Sequence, residues 1–469
     1  MGSLAKPIAL ALCCCLSASI SVADDLVNIM DLALDNDPAL RQARAQYRAN
    51  RESVTQSRAA LLPSIGLGGS TTRQTSGPPE DQYQNITDPV TGQTNRVLVQ
   101  RGHSFGTGVN SHNWGINLSQ SLFNLSDWYT YQSAKATDRA AAVNFAAQEQ
   151  ELLMRVATAY FDVLRAIDLL ETNLQEEEAA LTSLEQTRRR EEVGLDTITD
   201  VYDAQASYDL ARNTTILQQD ILQARYEALE AITGQAHPNL EILREDFPIV
   251  AADGNLEEWE ALADSNSLAI AAAELNLEAS RRSLDARRSD RLPTVDVTGG
   301  FRHSVSPSIV VGGLAYRSGA TDGTQLALNL NIPLYSGGAI ASRKRAAEFN
   351  VEAARESLEL TKRQLTQNIR NAYRRVNTDV LVIAQRQQSI LSAQSALDQT
   401  TLGIEVGQRN IVELLRAREN LYRALRQYAD ARYDYVLDTL MLKQISGVLT
   451  PQDIIDLNQW LAEAETTVQ

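Results

Sequence analysis

The sequence predicts a mainly α-helical protein with a small β part, in which long antiparallel coiled-coil helices alternate with pairs of amphipathic strands. Two helical stretches of about 67 residues carry heptad spacing, four segments alternate with period two, and the chain repeats one order of elements. Ala, Leu, Gln, Arg and Glu dominate the long stretches and aromatics make up only 6% of the chain. That balance suits extended helices better than two or three compact globular domains.

The N-terminus comes first. Met1 to Lys6 carries one positive charge and leads into the apolar run Ile8 to Ile20, which ends at the small residues Ser21-Val22-Ala23. This is the order of a cleaved secretory signal, residues 1–23. The run is about 13 residues, short of the roughly 20 that a membrane helix needs. Cys13, Cys14 and Cys15 lie inside it, and none follows the small residue of a lipoprotein cleavage site, so no lipid anchor is expected. The mature chain, from Asp24, then has no cysteine and neither a disulfide framework nor a thiol metal site. The formal charge of −16 becomes about −17 without Lys6, which argues against nucleic acid as a partner because phosphate binding wants basic surface. No later stretch is apolar enough for a membrane helix, so any crossing must be made by strands.

Each half then runs helix, strand, loop, strand, long helix, tight turn, helix. The first repeat, 24–233, has helices at Leu26 to Ala60, Ser126 to Glu192 and Thr197 to Ile232, with a strand pair at 63–74 and 112–123. An equatorial linker, 234–255, leads to the second repeat, 256–446. Its helices fall at Leu256 to Asp290, Ala339 to Glu405 and Asn410 to Lys443, its strand pair at 294–303 and 323–334. A C-terminal equatorial segment, 447–469, follows. A shift of 213 places Ala159-Tyr160 on Ala372-Tyr373, Glu192-Val193-Gly194 on Glu405-Val406-Gly407 and Ile232-Thr233-Gly234 on Ile445-Ser446-Gly447. Leu62-Pro63 meets Leu292-Pro293 at a shift of 230, the difference falling in loops.

Each long helix would extend about 100 Å and needs a partner of equal length, which the two shorter helices of its half supply when stacked end to end. Leu153, Val156, Tyr160, Val163, Ile167, Leu170, Leu174, Leu181 and Leu184 form a seam broken only at Glu177. In the second half Ile369, Val376, Ile383, Ile390, Leu397 and Ile404 recur every seventh residue. Their companions Asp379, Arg386 and Thr400 are polar, so that seam is one-sided and can adjoin a wet channel.

Among the strands, Trp114, Ile116, Leu118 and Leu122 oppose Gly115, Asn117, Ser119 and Ser121, and Leu326, Leu328, Leu330, Ile332 and Leu334 oppose Ala327, Asn329, Asn331 and Pro333. Weaker alternation follows Pro63 and Pro293. The intervening stretches Thr75 to Ser111 and His303 to Asp322 are rich in Gly, Pro, Ser and Asn and read as solvent-facing tips. Strands between lipid and water must close into a barrel, and four cannot close. Two chains would supply eight strands, which fill their own interior; three would supply twelve, which a conducting pore favours.

The two-fold repeat, the strand pairs and the turn sequences together resemble the TolC family of outer-membrane efflux and secretion channels, over essentially the whole mature chain. Val193-Gly194-Leu195-Asp196-Thr197-Ile198-Thr199-Asp200-Val201, its mate Val406 to Leu415, and Pro333-Leu334-Tyr335-Ser336-Gly337-Gly338 carry the resemblance most specifically. It implies a homotrimer in the outer membrane of a Gram-negative cell, with a trimeric α-barrel reaching into the periplasm and a twelve-stranded transmembrane β-barrel set in outer-membrane lipid. It also implies a passive exit duct for tripartite efflux or type I protein secretion, opened at its coiled-coil tip. The partners it implies are a periplasmic adaptor and an inner-membrane pump or ATP-driven exporter; it implies no cofactor and no enzymatic activity.

Gly194 and Gly407 end the long helices, where a cap favours glycine; by resemblance Val193, Gly194, Leu195, Val406 and Gly407 also form the surface on which adaptor hairpins dock. Asp200 and Glu413 each stand three residues after a capping residue, Thr197 and Asn410, and capping can account for both acids. The resemblance gives the other reading: Thr199, Asp200 and Arg409 match linking positions of a closed tip and Glu413 an acidic ring. Two positions depart from the family pattern, Ile404 in place of a tyrosine and Arg416 in place of a second aspartate. The expectation is a gate with fewer polar links and a constriction of mixed charge, weakly selective for cations.

No nucleophile elbow, phosphate loop, dinucleotide fingerprint or zinc-protease helix occurs. His103, His112, His237 and His303 share no helical spacing and converge on no metal site. A periplasmic coiled-coil tether or adhesin would share the helix periodicity, but lipid-facing alternation has no use in a tether.

Overall fold

The computed structural model of the protein describes residues 24–75, 81–100, 108–306, 309–311, 314–316 and 319–462. The signal expected at 1–23 lies outside them, as do parts of both strand-connecting stretches.

The first half comprises α1 (Leu26–Asn36), α2 (Pro38–Ala59), β1 (Ser64–Thr75), β2 (Gln82–Thr87), β3 (Thr94–Gln100), β4 (Gly108–Phe123), α3 (Leu125–Glu192) and α4 (Ile198–Thr233). β5 (Ile242–Leu243) follows, then α5 (Leu256–Asn266), α6 (Leu268–Ser289), β6 (Thr294–Ser306), β7 (Ile309–Val311), β8 (Leu314–Tyr316) and β9 (Gly319–Asn331). The chain closes with α7 (Ala339–Glu405), α8 (Ile411–Ile445), α9 (Pro451–Asn458) and β10 (Leu461–Ala462). The chain divides into two compact units, one formed by residues 45–144 and 269–361, the other by the remainder.

The first unit holds an antiparallel sheet in the order β1-β4-β6-β9, so among the described residues β1 and β9 each have one unpaired edge. Its register sorts the side chains. One face carries Ile65 and Leu67 of β1, Trp114, Ile116 and Leu118 of β4, Val295, Val297 and Phe301 of β6, and Leu326, Leu328 and Leu330 of β9. The opposite face is Gly, Ser, Thr, Asn and Gln apart from a few positions. Leu326 is 80% and Leu67 76% exposed, so among the described residues nothing covers these apolar side chains. β9 ends at Asn331, earlier than the alternation through Leu334 suggests, because Pro333 has no N–H for the ladder. The stretches between paired strands are hairpins where described, β2 with β3 and β7 with β8, and not merely irregular loops.

The second unit has the apolar core. Tyr160, Phe161 and Leu164 of α3, Leu229 of α4, Ile369 and Val376 of α7, and Tyr433 and Leu442 of α8 are buried with Leu26 and Ile29 of α1. Each such side chain contributes about 2 kcal/mol on burial. The repeat is visible in hydrogen bonds: the Tyr160 hydroxyl donates to the Glu241 carbonyl at 2.7 Å, and its mate Tyr373 donates to the Gly254 carbonyl at 3.3 Å. Both acceptors belong to the linker. That linker is held on its other side too, through β5 paired with β10 and Asp24 bridged to Leu240.

Two helices read from the sequence as continuous are broken at equivalent places. Asp37 N–H donates to the Ala33 carbonyl at 2.8 Å, and 230 residues on Ser267 N–H donates to Ala263 at 3.0 Å. Pro38 explains the first break, and Asp37 caps the next helix through Leu40 N–H at 2.8 Å while meeting Arg155 at 2.7 Å. The α3 seam also shifts. Leu153, Val156, Tyr160 and Val163 are buried, yet Leu174 is 46% and Leu181 39% exposed while Asn173, Ala180 and Thr187 are buried in their place. At Asn173 the physical reason is a pair of polar donors, Thr215 of α4 and Arg426 of α8, described next.

Candidate functional site

The two helical turns are built alike. After α3, Gly194 N–H donates to the Glu191 carbonyl and Leu195 N–H to the Arg190 carbonyl, both at 2.8 Å. After α7, Gly407 N–H donates to Ile404 at 3.0 Å and Gln408 N–H to Gly403 at 2.7 Å. Both are Schellman closures, which need a left-handed residue; φ is +76° at Gly194 and +73° at Gly407. The closure turns the neighbouring apolar side chains outward, leaving Val193 70%, Leu195 67% and Val406 68% exposed.

Beyond the glycines the turns use their acids differently. Asp200 completes a capping box with Thr197: its carboxylate accepts from the Thr197 N–H at 2.8 Å and hydroxyl at 2.6 Å, and Asp200 N–H donates back to Thr197 Oγ1 at 3.3 Å. Glu413 donates its N–H to Asn410 Oδ1 at 2.9 Å, but its carboxylate accepts from Arg409 Nη1 at 2.6 Å. Arg409 lies against Gly403, where an added Cβ would stand 2.5 Å from Arg409 Cγ. Thr199 is exposed, and among the described residues no hydrogen bond or ion pair joins Thr199 or Asp200 to Arg409. Arg416 is exposed and lines a cleft of 430 Å³ with Arg418, Arg426, Glu176 and Glu419.

Several participants escaped the sequence reading. Arg190 donates to both oxygens of Asp196, at 2.8 and 3.1 Å, and this bond raises the Arg190 guanidinium above its ordinary value. On α8 a ladder at i, i+4 spacing ties to α3: Arg418 to the Ala179 carbonyl and, at 2.7 Å, to Ser183 Oγ; Tyr422 to the Gln175 carbonyl at 3.1 Å; Arg426 to Glu176 and, at 3.0 Å, to Asn173 Oδ1. Burial lowers the Arg418 guanidinium from its ordinary value. From α4, Thr215 donates to the Asn173 carbonyl at 3.3 Å and Gln218 to the Ala166 carbonyl at 3.1 Å. The spacing of Arg418, Tyr422 and Arg426 was the available signal.

His237 is buried between Asp24 at 2.8 Å and Thr233 at 2.9 Å, His303 meets Asp322 at 2.5 Å, and His112 meets Thr71 at 3.1 Å. His103 lies outside the described residues. Among the described residues no group of three or more His, Cys, Asp or Glu could hold a metal ion, and no helix is long and apolar enough to cross a membrane.

The sequence matches the family described as "Outer membrane efflux protein" over residues 29–235 and 260–448, one match on each repeat. It is 35% identical over 451 residues to the outer membrane protein TolC of Vibrio cholerae, covering 94% of this chain and 95% of that one. It is 30% identical over 462 residues to the outer membrane protein TolC of Escherichia coli, covering 96% and 87%. The fold matches a crystal structure of a membrane protein from Pseudomonas aeruginosa with a TM-score of 0.73 at 21% identity, covering 90% of this chain and 93% of that one.

Proposed function

Because the chain belongs to the outer membrane efflux protein family, as a non-enzymatic outer-membrane efflux or secretion channel of the TolC type, we propose that three copies close one twelve-stranded barrel and that a periplasmic adaptor opens their joined helical tips. The observation that carries this reading is the sheet: four strands, one face apolar and uncovered, and an unpaired edge on β1 and on β9. An open edge in hydrocarbon leaves backbone groups unsatisfied at several kcal/mol each, so β9 of one copy pairs with β1 of the next. The repeats 24–233 and 256–446, joined through the linker 234–255, bring one strand pair and one helical tip turn each into the assembly. Leu174 and Leu181, open in the single chain, are covered by a neighbouring copy.

At the tip, Val193, Gly194 and Leu195 with Val406 and Gly407 form the docking surface. Their rigid closures and outward apolar side chains suit the end of an adaptor hairpin. Asp200 and Thr199 link to Arg409 between copies, Glu413 and Arg416 give the constriction its mixed charge, and an inner-membrane pump or ATP-driven exporter supplies the energy. Photo-crosslinking from Leu195 or Gln408 in cells tests the docking. Capture of a periplasmic adaptor supports it, and crosslinks confined to copies of this chain count against it.

A further inference from the structure

One rung of the sheet's polar face reads, from edge to edge, Gly68, Gly115, Arg302, Gly323: Gly68 pairs with Gly115, Gly115 with Arg302, and Arg302 with Gly323. Arg302 is the one side chain in its rung. The adjoining rungs are uncharged, with Gly66, Asn117, Gly300 and Gln325 on one side and Ser70, Asn113, Ser304 and Thr321 on the other. Among the described residues of this face the other ionisable side chain is Asp296, six residues away on β6, or about 20 Å along the strand.

Packing explains only one of the three glycines. A Cβ at Gly115 would stand 2.6 Å from the Phe301 carbonyl oxygen, whereas at Gly68 and Gly323 it would meet nothing within 4 Å. Glycine inside a strand weakens it, so the empty positions at 68 and 323 are not bought by a close approach. Their effect is to leave the Arg302 guanidinium standing alone. Arg302 is exposed, and no hydrogen bond or ion pair to another described residue holds it.

The opposite face carries the apolar band and is the one that suits lipid, so the polar face lines the water-filled bore. We infer that Arg302 is a charge-specificity determinant of the channel, its three copies forming a cationic belt that favours solutes bearing carboxylate, phosphate or sulfonate groups over cations. The inference rests on the three-copy barrel proposed above. A guanidinium stays charged, is weakly hydrated and pairs with two oxygens at once. A ring of like charges on a low-dielectric wall raises the local concentration of counter-ions, with a reach of about 10 Å at 0.1 M salt. On a chain of net charge −16 such a belt runs against the overall balance.

The test is electrical and chemical. The three cysteines of the sequence are at 13, 14 and 15, inside the expected signal, so R302C carries the single thiol of the processed chain. The mass of the detergent complex is measured first. Channels are then placed in planar bilayers under a KCl gradient at low salt, with the native tip and with E413Q/R416Q so that tip charge does not mask the belt. R302E is expected to lower the chloride-to-potassium permeability ratio roughly two-fold or more, R302K to preserve it, and a membrane-impermeant anionic thiol reagent to modify R302C and lower the ratio likewise. A three-chain conducting complex in which R302C resists the reagent, or reacts without changing the ratio while R302E is also silent, overturns the inference and leaves the barrel standing. A complex without three chains removes both.

Discussion

Arg190 grips Asp196 with two nitrogens, at 2.8 and 3.1 Å, across the turn that Gly194 closes, so the first helical tip is locked by a side-chain fork as well as by its backbone. The second tip has no such fork; its arginine, Arg409, reaches forward along α8 to Glu413. The two turns share a backbone and differ in what stiffens them.

From the fork follows a difference in local opening. Asp196→Asn weakens the pair by about 1 kcal/mol, since Asp196 is mostly shielded while Arg190 is partly open to water. Amide hydrogen exchange at Gly194 and Leu195 should accelerate roughly five-fold, with the core amides near Tyr160 unchanged. Equal protection in both proteins would mean that the Schellman bonds alone hold the turn.

The Asp200 capping box separates two roles. Asp200→Ala costs the α4 N-terminus about 1 kcal/mol, measurable as a lower melting temperature in detergent. If Asp200 also links copies, closed-state current in planar bilayers rises as well. An unchanged current assigns Asp200 to capping alone.

Gly403 and Gly407 matter for different reasons. Gly407→Ala puts a side chain at φ +73°, with a cost of about 1 kcal/mol. Gly403→Ala leaves the backbone unstrained but displaces the Arg409 stem from its place. The expected outcome is loss of the Arg409–Glu413 contact in Gly403→Ala and its retention in Gly407→Ala. Comparing closed-state current of each with Arg409→Ala checks it: Gly403→Ala should match Arg409→Ala, and Gly407→Ala should not.

Asp379 on α7 gives a pH dependence. Burial first, then Asp438 and Asp434 of α8, push its carboxyl up to about 6, against the opposing pull of Arg375. In the unfolded chain the same group titrates near 3.8. Between those values the folded state holds the extra proton, so stability falls as pH rises through the window and the full cost is present above it. Asp379→Asn removes the cost and should stabilise the protein by about 1 kcal/mol at pH 8, water screening included. The difference should vanish below pH 4; melting curves in detergent at the two pH values read it. A constant difference at both would place the effect in packing.

Much of this architecture is legible in the residues. Period-two alternation from Trp114 to Leu118 and from Leu326 to Leu330 marks the strands because their two faces meet different surroundings, and Gly194 and Gly407 mark the turns because left-handed backbone suits glycine. The breaks at Asp37 and Ser267 were harder to see. Pro38 flags the first, but Ser267 is followed by no proline and its helix resumes at once. The α3 seam misleads for another reason: heptad leucines such as Leu174 and Leu181 look like core, yet the chain buries Asn173 and Ser183, because Arg426 and Arg418 bring donors to them from elsewhere in the sequence. At the tip, acids and arginines were recognisable as a set. Their pairing was not, since Arg190 with Asp196 and Arg409 with Glu413 depends on how each turn closes.

The closing of the sheet by other copies is tested most directly by the mass of the purified protein. Light scattering or native mass spectrometry of the detergent-solubilised protein should give three chains in one complex, which precipitates when detergent is withdrawn. A stable single chain, soluble without detergent, would contradict the account.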